Sequence, residues 1–402
     1  MTGRFGSLRF ATRMLLRLFR LSFFKRTDRA PGVRPSLRFR LRFFVGFTVV
    51  ELFNAFCLLL DGLLVPGWRR ARIEEPVFLI GNPRSGTTIL HRVMAGDEQR
   101  FFCFRTWEIL FPSVLQKMFL SAIGKLDRLA GSHLRALLER VEAARFKQFQ
   151  HVHRIGLFLS EEDGLLLFHI LAASVLRWLF PDAGFERIAR LDVAVDPQDR
   201  RRIMDFYLGC VRRQAWLTGR GRTFLSKNPT FSGKIASLET HFPGCRFVYL
   251  VRNPLDVVPS LISMGRHVMR SRAGVEPDAE LDEQVYEFIK FNYSYSLDRI
   301  SAMPEDRAIV VNYEDLIRQP KEVIQRIYKQ FGFSLTPEFE TRLDRDVEKM
   351  QRYRSRHEYS ADRYSVTRER IAADLRPIFD RFGFDTREAR RSALEPSRGT
   401  RP

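Results

Sequence analysis

Residues 81–88 read GNPRSGTT, and their flanks narrow the fold more than any other feature of the chain. Before them, Val77–Ile80 is a short apolar run opened by Pro76. After them, Thr87–Ala95 carries a helical pattern. A strand that runs through a glycine-rich turn into a helix presents backbone N–H groups at a helix N-terminus, where they collect phosphate oxygens. Gly81 and Gly86 occupy the two glycine positions of the P-loop pattern GxxxxGK[ST], and Ser85, Thr87 and Thr88 add hydroxyl donors. The departure from that pattern is informative too. Thr87 stands where the lysine belongs, so the cation that reaches the β- and γ-phosphates of ATP is missing. Arg84 supplies charge from the middle of the loop instead, which suits a ligand with one 5′-phosphate and a transferable group beyond it.

Further strand signals fall at Thr223–Leu225, Phe247–Val251 and Ala308–Val311. Helical stretches separate them, among them Asp199–Leu217, Leu281–Ile300 and Lys321–Phe331. This alternation predicts an α/β fold, a P-loop-type parallel sheet flanked by helices, within residues 74–386. The interval 108–220 shows no clear strand and reads as a helical cap that forms the acceptor region. Within it, the apolar run Gly164–Phe180, which holds His169 and Arg177, reads as one buried or membrane-facing helix. Residues 387–402 read as a polar tail.

A second anion signal lies in FVYLVRNPLDVVPSL, residues 247–261. An apolar strand ends at Val251. Asn253 is a good N-cap, Pro254 suits the first helical position and Asp256 the first turn. Local rules make Arg252, at the junction of strand and helix, a candidate anion ligand. On the same rules Ser260 is an unremarkable helix serine.

The loop FLIGNPRSGTTILHR resembles the 5′-phosphosulfate loop of sulfotransferases that use 3′-phosphoadenosine 5′-phosphosulfate (PAPS), in the bacterial form with arginine at the middle position. The segment Arg252 to Ser260 resembles the 3′-phosphate motif of that family, with RNP in place of the usual RDP. The resemblance covers roughly residues 70–385. It implies PAPS as co-substrate and a hydroxyl acceptor, with Arg84, Ser85, Gly86, Thr87, Thr88, Arg252, Ser260 and Lys227 (in FLSKNP) binding the nucleotide. Tyr313-Glu314-Asp315-Leu316 resembles the family's YEDL segment. Arg356-His357-Glu358-Tyr359 lies where relatives carry a basic segment near the nucleotide. Competing readings are a P-loop nucleotide kinase or NTPase, and an inactive nucleotide-binding relative.

Sulfuryl transfer places charge on the leaving oxygen, which makes Arg84 the candidate for electrostatic stabilisation. Its guanidinium is too weak an acid to donate a proton. An alcohol acceptor needs a general base. Glu108 is one candidate, since relatives place a catalytic glutamate at about its distance from the loop. The cluster Glu161-Glu162-Asp163 is another, represented by Glu162; the remaining alternatives are a histidine such as His169 or His153, or no protein base at all. No metal is expected: His151 and His153 form the only close histidine pair, without a carboxylate or cysteine at ligand spacing.

The formal net charge is +20, and residues 1–73 hold 15 Lys/Arg against 3 Asp/Glu. Residues 1–73 therefore read as a basic, membrane-associating helical region. Residues 8–24 set arginines on one stripe and apolar side chains on the other. Residues 43–66 are long and apolar but are interrupted by Glu51, Asn54 and Asp61 and flanked by arginines at both ends. That favours an interfacial or re-entrant segment over a bilayer span or a buried soluble helix. Such a segment excludes a soluble nucleic-acid reader as the explanation of the charge. The four cysteines lie far apart and read as reduced thiols. The expected location is cytoplasmic, peripherally or monotopically attached to the cytoplasmic membrane, with a lipid or other hydrophobic alcohol as acceptor.

Overall fold

The computed structural model describes residues 12–16, 19–20, 37–146, 156–179, 183–273, 276–352 and 364–386. Five parallel strands form its centre: β1 (Val77–Gly81), β2 (Phe101–Phe102), β3 (Thr223–Lys227), β4 (Arg246–Val251) and β5 (Ala308–Asn312). Their order is β2-β3-β1-β4-β5, so the loop-bearing strand is in the middle. Val77 and Leu79 pack into one core with Val248 and Leu250. Phe78 and Ile80 pack into the core on the opposite face, with Phe247 and Tyr249. A parallel sheet covered on both faces needs such continuous apolar strands. The four strand signals read from sequence are present. Strand β2 is additional: two residues are too few for a periodic pattern, and Phe101 and Phe102 gain their identity only by pairing with Thr223 and Phe224.

The helices used below are α1 (Leu37–Leu64), α2 (Thr87–Met94), α3 (Thr106–Leu110), α4 (Val114–Leu129), α5 (His133–Phe146), α6 (Pro197–Thr218), α7 (Pro254–Val268), α8 (Ala279–Ser301), α9 (Tyr313–Arg318) and α10 (Pro320–Gln330). The expected single helix over Gly164–Phe180 is not formed. A 3₁₀ segment covers Asp163–Ile170, Leu171 turns left-handed at φ 55°, and a short helix follows at Leu176–Leu179. At Gly164 a Cβ would meet the Asn228 side chain at 1.5 Å, so the start of the 3₁₀ segment is pressed against the turn that follows β3.

Helix α1 faces two ways. Phe47, Glu51, Asn54, Leu58 and Asp61 recur at three- and four-residue steps and share one face. On that face Glu51 meets His169 Nδ1 at 2.8 Å, and Asn54 Oδ1 accepts from Gln116 Nε2 at 2.8 Å. Asp61, fully buried, caps α4: it accepts from the Ser113 hydroxyl (2.7 Å) and from the Val114 and Leu115 N–H groups (2.9 and 3.0 Å). It also receives Arg213 Nε from α6 at 2.8 Å. The three polar residues that interrupt the apolar run therefore dock the helix onto the body. The opposite stripe, Leu41, Val45, Val49, Leu52, Phe56 and Leu59, is exposed.

Candidate active site

Four neighbouring strands end at one edge of the sheet, and each is followed by a residue singled out above. The loop 81–88 follows β1, Lys227 closes β3, Arg252 follows β4 and Tyr313 follows β5. Ligands of open parallel sheets bind at this carboxyl edge. Gly81 and Gly86 both have positive φ, 147° and 89°. A Cβ on Gly81 would sit 2.4 Å from the Leu250 carbonyl oxygen, and one on Gly86 would sit 2.7 Å from the Tyr313 ring. The Ser232 hydroxyl accepts from Gly81 N–H (3.1 Å) and donates to its carbonyl (3.0 Å), which pins the start of the loop.

Arg84 adopts φ 74°, uncommon for a residue with a side chain. Its Nε donates to Ser260 Oγ at 3.1 Å. Arg252 Nη1 donates to the Arg84 carbonyl at 3.0 Å, and its guanidinium lies 4.2 Å from the Tyr313 ring centre. The Tyr293 hydroxyl donates to the Arg252 carbonyl at 2.6 Å. The two sequence motifs thus form one basic cradle. Ser260 enters it because α7 is capped as expected: Asn253 Oδ1 accepts from Leu255 N–H at 2.9 Å, and Pro254 and Asp256 occupy the first turn.

Lys227 is almost fully buried and bridges the loop to the acidic cluster. Its Nζ stands 3.0 Å from Glu162 Oε1, 3.3 Å from Glu161 Oε1 and 3.4 Å from Thr88 Oγ1. Asp163 lies behind them and accepts from the Tyr207 hydroxyl and from the Ser226 hydroxyl, the latter at 3.0 Å. Burial raises its carboxyl from the ordinary 3.8 to about 7, while those two donors and Lys227 pull it down. Glu108 is placed differently: buried in the first turn of α3, its Oε2 accepts from the Arg105 N–H at 2.7 Å and caps the helix. The structure therefore joins Glu162 to the loop through Lys227 and engages Glu108 in a helix cap.

Sequence reasoning missed Tyr207 and Ser226 as supports of the acidic cluster, and the stacking of Tyr313 on Arg252. The position of Tyr313 directly after a strand was the available signal. His151, His153, Arg356–Tyr359 and the tail 387–402 lie outside the described residues, as does most of the 8–24 stretch.

The profile of the sulfotransferase family matches residues 76–337. Two curated relatives, from Mycobacterium bovis and Mycobacterium tuberculosis, are named omega-hydroxy-beta-dihydromenaquinone-9 sulfotransferase Stf3. Each is 26% identical over 380 residues, covering 90% of this chain and 89% of the relative. The fold is similar to the crystal structure of sulfotransferase STF1 from Mycobacterium tuberculosis, with TM-score 0.68, 17% identity and 93% of each chain covered. It is also similar to that of STF9 from Mycobacterium avium, with TM-score 0.69, 17% identity, and 94% of this chain and 96% of that one covered.

Proposed function

The chain belongs to the sulfotransferase family, and we propose that it transfers a sulfuryl group from PAPS to the hydroxyl of a lipid or other hydrophobic alcohol at the cytoplasmic face of a membrane. The observation that carries this reading is the meeting of the two phosphate motifs, Arg84 Nε on Ser260 Oγ and Arg252 on the Arg84 carbonyl. The donor set fits such a nucleotide. The Ser85 hydroxyl is fully buried in the loop with no partner among the described residues, as an anion ligand would require. Gly86 lets the loop pass directly against the Tyr313 ring, where a Cβ would clash. Two guanidiniums and one ammonium serve the two phosphate ends: Arg252 with Ser260 for the 3′-phosphate, Arg84, Lys227 and Thr87–Thr88 for the 5′-phosphosulfate.

The donor supplies the sulfuryl group. The acceptor oxygen forms a bond to sulfur, the bond from sulfur to the phosphate oxygen breaks, and adenosine 3′,5′-bisphosphate departs with that electron pair. Arg84 and Lys227 neutralise the charge that grows on the bridging oxygen. Glu162 takes the hydroxyl proton. It is preferred to Glu108 because it is held beside Thr88 through Lys227, and to Glu161, which shares that lysine, because it is the more exposed of the two. Asp163, held by Tyr207 and Ser226, positions the segment from below. A lipid acceptor is supported by the relatives' names, which specify a hydroxylated menaquinone, and by the exposed apolar face of α1.

The test is titration calorimetry with adenosine 3′,5′-bisphosphate and with ATP, followed by radiolabelled sulfuryl transfer to long-chain alcohols. Tight binding of the bisphosphate, no comparable ATP binding and label in the lipid phase are expected. No bisphosphate binding by folded protein would overturn the proposal, and binding without transfer to any alcohol would identify an inactive relative.

A further inference from the structure

We infer that α1 and the helical hairpin α4–α5 form one platform that lies in a single leaflet of an anionic bilayer, parallel to its surface, and that α1 does not cross the membrane. By length α1 could cross: 28 residues reach about 42 Å, against a hydrocarbon core of about 30 Å. The contacts along it forbid this. From Phe47, whose ring meets Phe168 at 5.4 Å, to Asp61, buttoned to Ser113 and Arg213, roughly 21 Å of the helix is docked on the globular body. A spanning α1 would carry His169, Gln116 and Arg213, and the soluble segments that bear them, into the hydrocarbon.

The other side of α1 is built for lipid. Its exposed stripe repeats at three- and four-residue steps from Leu41 to Leu59, so apolar side chains line one continuous face. Helix α4 packs beside it and α5 beside α4. Both extend the apolar surface: Phe119 is 67% and Leu126 65% exposed on α4, and Leu137 is 56% exposed on α5. Isolated exposed leucines need no explanation, but three adjacent helices carrying them do.

Charge selects the occupant. The two carboxylates of α1, Glu51 and Asp61, both point into the body, so the charge at the two ends of α1 is positive: Arg38 and Arg42 at its start, Arg69, Arg70 and Arg72 after it; on the hairpin the exposed Glu139 is paired with Arg135. A cleft of about 330 Å³ follows the helix, lined by Arg69, Arg70, Arg72, Arg212, His241 and one acid, Glu74. Anionic headgroups complement arginines placed at both ends of an interfacial helix.

The platform also touches the acceptor side of the site. His169, at the end of the 3₁₀ segment that begins at Asp163, reaches Glu51 through Nδ1 and the Ile109 carbonyl through Nε2 at 2.7 Å. An alcohol dissolved in the leaflet would meet the protein where α1, α3 and this segment join, one short segment from Glu162. This last point rests on the sulfotransferase reading; the platform itself does not.

The test uses the full chain and flotation with vesicles of phosphatidylcholine alone or with phosphatidylglycerol. Wild type floats with the anionic vesicles and less with phosphatidylcholine or at high salt. The variants Leu52→Glu/Phe56→Glu and Phe119→Glu/Leu126→Glu each lose tenfold or more in vesicle affinity yet bind adenosine 3′,5′-bisphosphate as wild type does. In a Cys103→Ser background, Arg38→Cys and Arg72→Cys are labelled by an impermeant maleimide from the same side of sealed vesicles. Labelling from opposite sides, or unchanged flotation of both glutamate pairs, overturns the inference. So does a wild type that ignores vesicles and forms a dimer which the glutamates dissociate, since the occupant would then be a second copy. Flotation without bisphosphate binding would remove the sulfotransferase reading and leave the platform standing.

Discussion

Arg84 Nε donates to Ser260 Oγ across 3.1 Å, although 176 residues separate them in the chain. The bond joins the loop after β1 to the second turn of α7 and sets the width of the basic cradle. An arginine held this way keeps its other guanidinium donors for an incoming anion.

Arg252→Ala should weaken binding of adenosine 3′,5′-bisphosphate by about 100-fold, the loss of a charge-assisted pair worth about 2–3 kcal/mol. Calorimetry reads it directly. Arg252→Lys should recover little, because the ammonium cannot both hold the Arg84 carbonyl and lie flat on Tyr313. Full recovery by lysine would count against the stacked geometry.

Gly86→Ala combines a φ of 89° with a Cβ placed 2.7 Å from Tyr313. Backbone strain of roughly 1–3 kcal/mol falls on the loop. The expected result is at least a tenfold loss of nucleotide affinity with a small change in melting temperature. Adding Tyr313→Ala should restore part of the affinity by removing the clash.

Glu162→Gln and Glu108→Gln separate the two candidate bases. If Glu162 takes the proton, Glu162→Gln lowers turnover by about 10²–10⁴-fold and leaves nucleotide affinity near wild type. Glu108→Gln, which keeps an acceptor for the Arg105 N–H, should change turnover only a few-fold. The reverse ranking in single-turnover assays would reinstate Glu108.

Asp61→Ala should cost about 3–5 kcal/mol, since it removes the carboxylate partner of buried Arg213 and the acceptor of the Val114 and Leu115 N–H groups. Urea unfolding measures this. Because Asp61 also anchors α1, limited proteolysis between residues 65 and 75 should accelerate in the variant.

Lys234 is fully buried, donating to the Thr230 carbonyl (2.9 Å) and Ser174 Oγ (3.2 Å), and burial lowers its pKa from 10.5 to about 7. The unfolded chain therefore binds this proton more tightly, so the stability of wild type rises with pH between about 7 and 10.5. Lys234→Met has no such slope. Its stability minus that of wild type should be greatest below pH 7 and should shrink toward pH 10, whatever its offset. A difference independent of pH would mean that the buried amine does not titrate in that window.

Much of the site was legible before folding because it is local. Val77–Ile80 followed by GNPRSGTT specifies a strand, a turn and a helix within a dozen residues, and Asn253-Pro254 marks a helix start beside Arg252 by capping rules alone. Hydrophobic runs likewise identified four of the five strands. What sequence left open was every question whose answer depends on a distant partner. Glu162 is one of three adjacent carboxylates, and only packing sets it against Lys227, 65 residues on; the cap that Glu108 makes on the Arg105 N–H spans three residues and lay within reach of capping rules. Glu51, Asn54 and Asp61 read as flaws in an apolar helix until His169, Gln116 and Arg213 arrive from elsewhere to receive them. Propensity, capping and loop chemistry act over a few residues and can be read along the chain. The environment of a side chain is set by segments one hundred residues away, and that information exists only in the folded arrangement.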